Sequence, residues 1–501
     1  MGVDALPIEI ETHVEAGMPR YTVVGLPDGA IRESRDRVFA ALKNSGLPVP
    51  RGATTVNLAP ADVRKEGAAF DLPIAVGLLA ALAPDLPADR LDQVSILGEL
   101  ALDGSVRGVR GVLPAALQAR ADGKAAFICP LANADEAAVV SGLRVYGVAT
   151  LRETYELLAG RSTHDPHTRD VHALFRDAAT YERDLSDVRG QENVRRSVEV
   201  AAAGGHNILL VGPPGSGKTM IARRIPTILP PLTLDEALET TKIHSIGGTL
   251  GVGGLVATRP FRSPHHTVSD AGLCGGGASP LPGEISLAHN GVLFLDEVPA
   301  FKRQVLEVMR QPLEEGSITI SRARATLSDP ARFMLVASMN PCPCGHLNDP
   351  GRACTCAPPQ VQRYLSKVSG PLMDRIDLHV EVAPVPFDEL NRKAPGESSR
   401  DVRARVVAAR AVQAERLAGS SAHCNAQMSS PQVRMHCALD QAGQNLMRMA
   451  LDRLGLSARA YDRILKVART IADLGGSERV GTEHLSEAIQ YRSLDRSAWA
   501  N

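Results

Sequence analysis

The run Asn207-Ile208-Leu209-Leu210-Val211-Gly212-Pro213-Pro214-Gly215-Ser216-Gly217-Lys218-Thr219 constrains this chain more than any other segment. An apolar strand runs into a glycine-rich loop, and helical spacing follows. Gly212, Gly217, Lys218 and Thr219 fit the pattern G-x-x-x-x-G-K-[ST]. Glycines let the backbone curl so that its N–H groups face a β-phosphate. Lys218 reaches the β and γ oxygens, and the Thr219 hydroxyl ligates magnesium. The following helix adds the positive end of its dipole. Pro213, Pro214, Gly215, Ser216 and Met220 belong to the same nucleotide-binding set, with Gly190 upstream. Such a loop needs a parallel sheet flanked by helices.

The rest of a hydrolysis site follows in order. Val292-Leu293-Phe294-Leu295 is an apolar strand ending in Asp296-Glu297. Asp296 is expected beside the magnesium, and Glu297 to polarise the attacking water. The strand Phe333–Ala337 leads to Asn340, expected between the two earlier strands, where it helps to hold that water. Developing γ-phosphate charge calls for an arginine from a neighbouring subunit. Arg375 in Leu372-Met373-Asp374-Arg375-Ile376-Asp377 is the first choice and Arg363 the second. Arg459, at a helix start, is placed to fold over the phosphates.

A chain of 501 residues is too long for one core. Residues 1–160 read as mixed α and β, with strands at 21–24, 53–58, 127–129 and 145–148 and helices near 31–44 and 71–83. Residues 161–184 read as a polar linker. Residues 185–392 alternate strand and helix, and 393–501 are almost entirely helical. Net charge is -1, so any polyanion contact is a local patch, and 3% aromatic content disfavours base stacking. No stretch is apolar enough for a membrane span, and the acidic start Met1–Glu15 is not a secretory signal. A cytoplasmic location is expected.

Four of the eight cysteines, Cys342, Cys344, Cys354 and Cys356, crowd into an insertion at 341–357. Four thiolates close a tetrahedral Zn²⁺ site, and His346 is an alternative ligand for one of them. Bound zinc would order an insertion that lacks an apolar core. Ser317–Leu327 alternates like a β-hairpin, with Arg322 and Arg324 near its tip facing phosphates. The glycine-rich stretch 259–277 carries Arg262, His265 and His266. The adjacent histidines have no carboxylate or thiolate near them in sequence, which argues against metal there.

The order of elements resembles the AAA+ superfamily, in the branch of magnesium chelatase and MCM helicases. The chain is similar to the ComM/YifB family of magnesium chelatase-like proteins. The residues that carry this resemblance include 21–38, 70–81, 186–191, 263–277, 282–297, 340–349, 370–382 and 456–474. Family members begin some residues earlier with a first strand, so the start of this chain is expected to be truncated. The resemblance implies a Lon-protease-like α+β domain, a P-loop AAA+ domain with a zinc-binding insertion, and a C-terminal helical lid. Lon's serine falls at Ala69 and its lysine at Leu113, so no peptidase activity is expected. The hairpin and the 259–277 stretch resemble the two pore loops of this branch, which would bring Arg322, Arg324, His265 and His266 to DNA. The family implies ATP, Mg²⁺, a homo-hexameric ring, branch migration in homologous recombination and natural transformation, and recombinase partners. A chelatase-like remodelling ATPase, an ATP-dependent protease and a DNA scaffold are the rivals.

Overall fold

A computed structural model describes residues 4–86, 88–162, 164–178, 181–251, 253–276, 281–322, 325–347, 349, 351–385, 396–455 and 457–492. The chain divides into two compact units, one of residues 1–177 with 234–257, the other of 178–233 with 258–501. Residues 234–257, read in the sequence as part of the ATPase core, therefore group with the N-terminal unit.

In the first unit β1 (Glu9–Glu15), β2 (Arg20–Val24) and β3 (Ala53–Ala59) form a sheet in the order β1-β3-β2. Helix Asp71–Leu82 buries Leu72, Ile74, Ala75, Leu78 and Leu79 in the core of this unit. Its first residue, Asp71, is wholly buried and receives Arg37 through Nε at 2.6 Å and Nη2 at 2.9 Å. Burial raises the Asp71 pKa, against the pull of that guanidinium. A second, parallel sheet has β5 (Ala126–Pro130) between β4 (Val94–Ile96) and β6 (Arg144–Val148). Helix Val112–Ala121 covers it and buries Leu113 completely. Helix Leu234–Gly247 belongs to this unit, and Leu238 joins that same core. One buried carboxylate serves both helices: Glu136 accepts the Leu113 N–H at 2.8 Å and the Ser245 hydroxyl. Ala69 lies in a short 3₁₀ turn, and its carbonyl accepts the Gly98 N–H at 2.9 Å.

The second unit holds a five-stranded parallel sheet in the order β8-β9-β12-β7-β13. Its strands are β7 (Ile208–Val211), β8 (Phe261–Arg262), β9 (Val292–Leu295), β12 (Met334–Met339) and β13 (Leu378–Glu381). Every residue of β7, β9 and β12 is buried, as a parallel sheet covered on both faces requires. The expected hairpin forms as β10 (Ser317–Arg322) and β11 (Ala325–Pro330), with Arg322 opposite Ala325. Beyond residue 396 the described chain is helical, with long helices at Ser399–Arg416, Gln441–Leu454 and Ala458–Leu474. Among the described residues no helix is long and apolar enough to cross a membrane.

One buried side chain makes this unit acid-sensitive. His379 on β13 is 2% exposed, and burial, with Arg492 nearby, pushes its pKa down to about 3 from 6.5. The unfolded chain takes up this proton near pH 6.5, whereas the folded one resists it. The stabilisation is complete above that value and is lost as pH falls. At pH 5 the loss reaches about 2 kcal/mol. His379→Leu should therefore show a smaller drop in Tm between pH 7 and pH 5 than the parent chain. Buried His206, whose pKa is also lowered by burial, keeps some slope in the variant. Equal slopes would disprove the assignment.

Candidate active site

The phosphate loop is built where β7 stops. Gly212 has no room for a side chain, since a Cβ there would lie 2.2 Å from the Val382 carbonyl oxygen. Its N–H donates to the Met339 carbonyl at 3.2 Å, tying the loop to the end of β12. Pro213, Pro214, Gly215, Ser216 and Gly217 carry the chain over to helix Lys218–Ala222, with Gly217 in the left-handed region as its N-cap. The Ser216 hydroxyl is buried and has no partner within the protein, which suits a site that takes up a phosphate oxygen. Met220 is 37% exposed on the helix.

Lys218 is almost buried. Its Nζ donates to the carbonyls of Gly212 at 2.7 Å and Pro213 at 2.9 Å, and to Asn340 Oδ1 at 3.2 Å. Burial lowers its pKa, and the charges of Asp296 and Glu297 work against that. Thr219 Oγ1 donates to Asp296 Oδ2 at 2.9 Å, and the Ser338 hydroxyl donates to the other carboxylate oxygen. The strand order explains the convergence. β12 lies between β7 and β9, so Asn340 at its end faces the Lys218 loop on one side and Asp296 on the other. A hydroxyl and a carboxylate in contact at the mouth of a phosphate loop are a donor set for Mg²⁺.

Glu297 is exposed and has φ 55, a left-handed backbone on a residue with a side chain. Its N–H donates to Ser338 Oγ at 3.3 Å. Such a backbone costs about 1–3 kcal/mol and persists only where the surroundings impose it.

Three side chains escaped the sequence reading. Ser338 fixes Asp296; its signal is its place near the end of β12, two residues before Asn340. Gln191, also left-handed at φ 53, follows Gly190 at φ 62 and donates to the carbonyls of Ser216 at 3.0 Å and Ala383 at 2.7 Å. It clamps the phosphate loop from outside, and no local pattern announces that. Tyr364 sits close enough to Glu297 and Cys342 to feel their charges. Burial first, then those charges, push its pKa up to about 12.

The arginines are placed differently from one another. Arg375 is 4% exposed: Nη1 donates to the Pro371 carbonyl at 2.5 Å, Nη2 pairs with Glu314, and Nε has no partner. The sequence reading gave it to a neighbouring subunit's phosphate; in the single chain it is held by its own Glu314. Burial lowers its pKa, and Arg310 and Arg459 add to the effect. Its carbonyl is pinned by Asn207 Nδ2 at 3.2 Å and Arg463 Nη1 at 3.0 Å. Arg363 and Arg459 are exposed, on helices Pro358–Leu365 and Ala458–Leu474.

The cysteines come together as expected from their spacing. The Sγ atoms of Cys342, Cys344 and Cys354 lie 3.4, 3.6 and 3.7 Å apart, and the Cys344 N–H donates to Cys356 Sγ at 3.4 Å. All four ligand atoms fall within 4.8 Å of one another, and all eight cysteines are free. His346 pairs instead with Asp349 at 3.0 Å. His265 is exposed and bonded to Thr267 at 2.9 Å, while His266 packs edge-on against Phe301. Arg262 is taken up by Glu284 through two contacts of 2.7 Å. The Arg322 side chain and all of Arg324 lie outside the described residues.

Three family models match the chain: subunit ChlI of Mg-chelatase over residues 10–133, magnesium chelatase subunit ChlI over 184–390, and its C-terminal part over 396–492. The chain is 46% identical to YifB of Escherichia coli, across 99% of this chain and 96% of that one. It is 45% identical to the competence protein ComM of Haemophilus influenzae, with the same coverage. A Mycobacterium tuberculosis protein is 43% identical across 98% of this chain and 96% of its own length. The chain thus belongs to the magnesium chelatase-like ATPase family that includes YifB and ComM.

Proposed function

We propose that this ATPase is one subunit of a hexameric AAA+ ring that couples ATP hydrolysis to movement on DNA, as a branch-migration helicase in homologous recombination and natural transformation. The observation that carries the ATP chemistry is the meeting of Lys218, Thr219, Asp296 and Asn340 at one mouth. Residues 212–220 hold the nucleotide phosphates, and Thr219 and Asp296 hold Mg²⁺. Bound magnesium neutralises phosphate charge. Asn340 and Glu297 orient and polarise water, and Arg375 serves the nucleotide of the adjacent subunit. Arg310 and Arg459 both lie near enough to Arg375 to act on its charge, beside Glu314, and Arg310 is itself paired with Glu307 at 3.1 Å.

Zinc fits the cysteine cluster. With Zn–S near 2.3 Å, a tetrahedral site has S···S edges of about 3.8 Å. The three sulfur separations among Cys342, Cys344 and Cys354, 3.4–3.7 Å, approach that figure. Zinc here would order the insertion.

The DNA substrate rests on kinship with a competence protein and on two arginines, Arg322 and Arg324, that the sequence carries in the hairpin segment. Branched DNA should raise ATP turnover, and DNA affinity should fall steeply with salt. Removing Arg322 or Arg324 should lower the log–log salt slope by about 1 each. Turnover that ignores every DNA form would favour the second reading, a chelatase-like remodelling ATPase, which the three chelatase-subunit matches support.

A further inference from the structure

The cysteine cluster and the phosphate loop are in contact through one short run of chain. At Met339 the carbonyl accepts the Gly212 N–H at 3.2 Å, and at Asn340 the amide oxygen accepts Lys218 Nζ at 3.2 Å. Five residues on, Gly345 has φ 84, and a Cβ built there would stand 2.4 Å from Pro214 Cδ and 2.8 Å from Cγ. Residues 339–345 thus grip the loop at Gly212, Pro214 and Lys218. Cys342 and Cys344 lie between the grip points.

Residues 342–345 belong to no helix or strand, and Gly345 makes a local turn bond to the Cys342 carbonyl at 3.0 Å. Cys342 and Cys344 also join the thiol cluster, where the four ligand atoms meet within 4.8 Å. Four thiolates gathered at that spacing are the donor set of a tetrahedral divalent cation.

We propose that this cluster is a regulatory metal site for the nucleotide: a soft divalent cation on Cys342, Cys344, Cys354 and Cys356 holds Gly345 against Pro214, and its loss releases the phosphate loop and weakens nucleotide binding. The proposal rests on the ATPase reading above. It makes the metal a partner in nucleotide affinity rather than a staple for the insertion alone. By reciprocity, bound nucleotide tightens the hold on the metal.

The test uses the full chain, purified reduced, with metal content measured and binding followed with a fluorescent ATP analogue in excess Mg²⁺. Stripping the metal with a zinc-selective chelator should lower nucleotide affinity about 10-fold, within the range of coupling between sites. Zn²⁺ or Cd²⁺ should restore it, and further Mg²⁺ should not. Gly345→Ala should keep its metal yet bind nucleotide about as weakly, because the new methyl pushes on Pro214. Adding Pro214→Ala to that variant should recover part of the loss. Unchanged affinity in the stripped, folded chain overturns the proposal. Should the stripped chain unfold, Gly345→Ala decides: metal retained with parental affinity overturns it equally. Failure of the ATPase reading looks different, since the metal-loaded parent would then bind no nucleotide, or would bind it no better than Lys218→Ala.

Discussion

Lys218→Ala should reduce ATP turnover by at least about 10²–10³-fold, the cost of removing one preorganised donor to a developing oxyanion. The effect is large because the ammonium does not need to be assembled. It already stands at the mouth of the loop, held by the Gly212 and Pro213 carbonyls and by Asn340. Burial has lowered its pKa, so it meets phosphate with part of its hydration removed. Lys218→Arg should not rescue turnover, because a planar fork cannot replace a compact point charge inside this loop. Phosphate release and nucleotide affinity measured on both variants check this. Turnover that persists in Lys218→Ala would remove the site from residues 212–219.

Arg375→Ala should leave nucleotide binding nearly intact while lowering turnover by about 10³–10⁵-fold, the range for an arginine supplied across an interface. In the single chain its partner Glu314 is half exposed, with a side chain 49% accessible, so the pair can open without unfolding the core. The proposed role predicts complementation. Subunits carrying Arg375→Ala, mixed with subunits carrying Lys218→Ala, should regain part of the activity, since in one of the two orders of a mixed interface an intact loop meets an intact arginine. Arg363→Ala is the comparison. It lies exposed on helix Pro358–Leu365, and a larger loss there than at Arg375 would transfer the role to it. A third result, loss of nucleotide binding in Arg375→Ala, would mean that Glu314 and Arg375 only hold the fold. Loss of the buried Arg375 side chain, with its bond to the Pro371 carbonyl, would make that outcome visible as a fall in Tm.

Much of the site was legible because its chemistry is local in sequence. Glycine spacing, a lysine and a hydroxyl residue in succession, and two carboxylates after an apolar strand are patterns of neighbouring residues. Short-range geometry enforces them. Four cysteines within fifteen residues are of the same kind, and their convergence needs only a turn. The strands at 208–211 and 292–295 formed where apolar runs stop at glycine or acid.

What could not be read was whatever depends on distant partners. Gln191 reaches Ser216 and Ala383, Ser338 reaches Asp296, and the run after Asn340 touches Pro214. Helix Leu234–Gly247 joins the N-terminal unit through Leu238 and the Ser245–Glu136 contact, although the phosphate loop precedes it and the Asp296 strand follows it. Arg375 stands in a turn that reads as exposed and polar, yet it is buried and pairs with Glu314 from 61 residues upstream. By itself the sequence determined that a phosphate loop, two carboxylates, an amide and four thiols exist in this order, because each follows from backbone and side-chain chemistry within a few residues. Only the tertiary structure decided the distant contacts made around the expected strand order β9-β12-β7, Gln191 on Ser216 and Gly345 against Pro214 among them. That order brings Asn340, Asp296 and the cysteine run to the same loop, since neighbours in a parallel sheet are chosen by long-range burial rather than by adjacency along the chain.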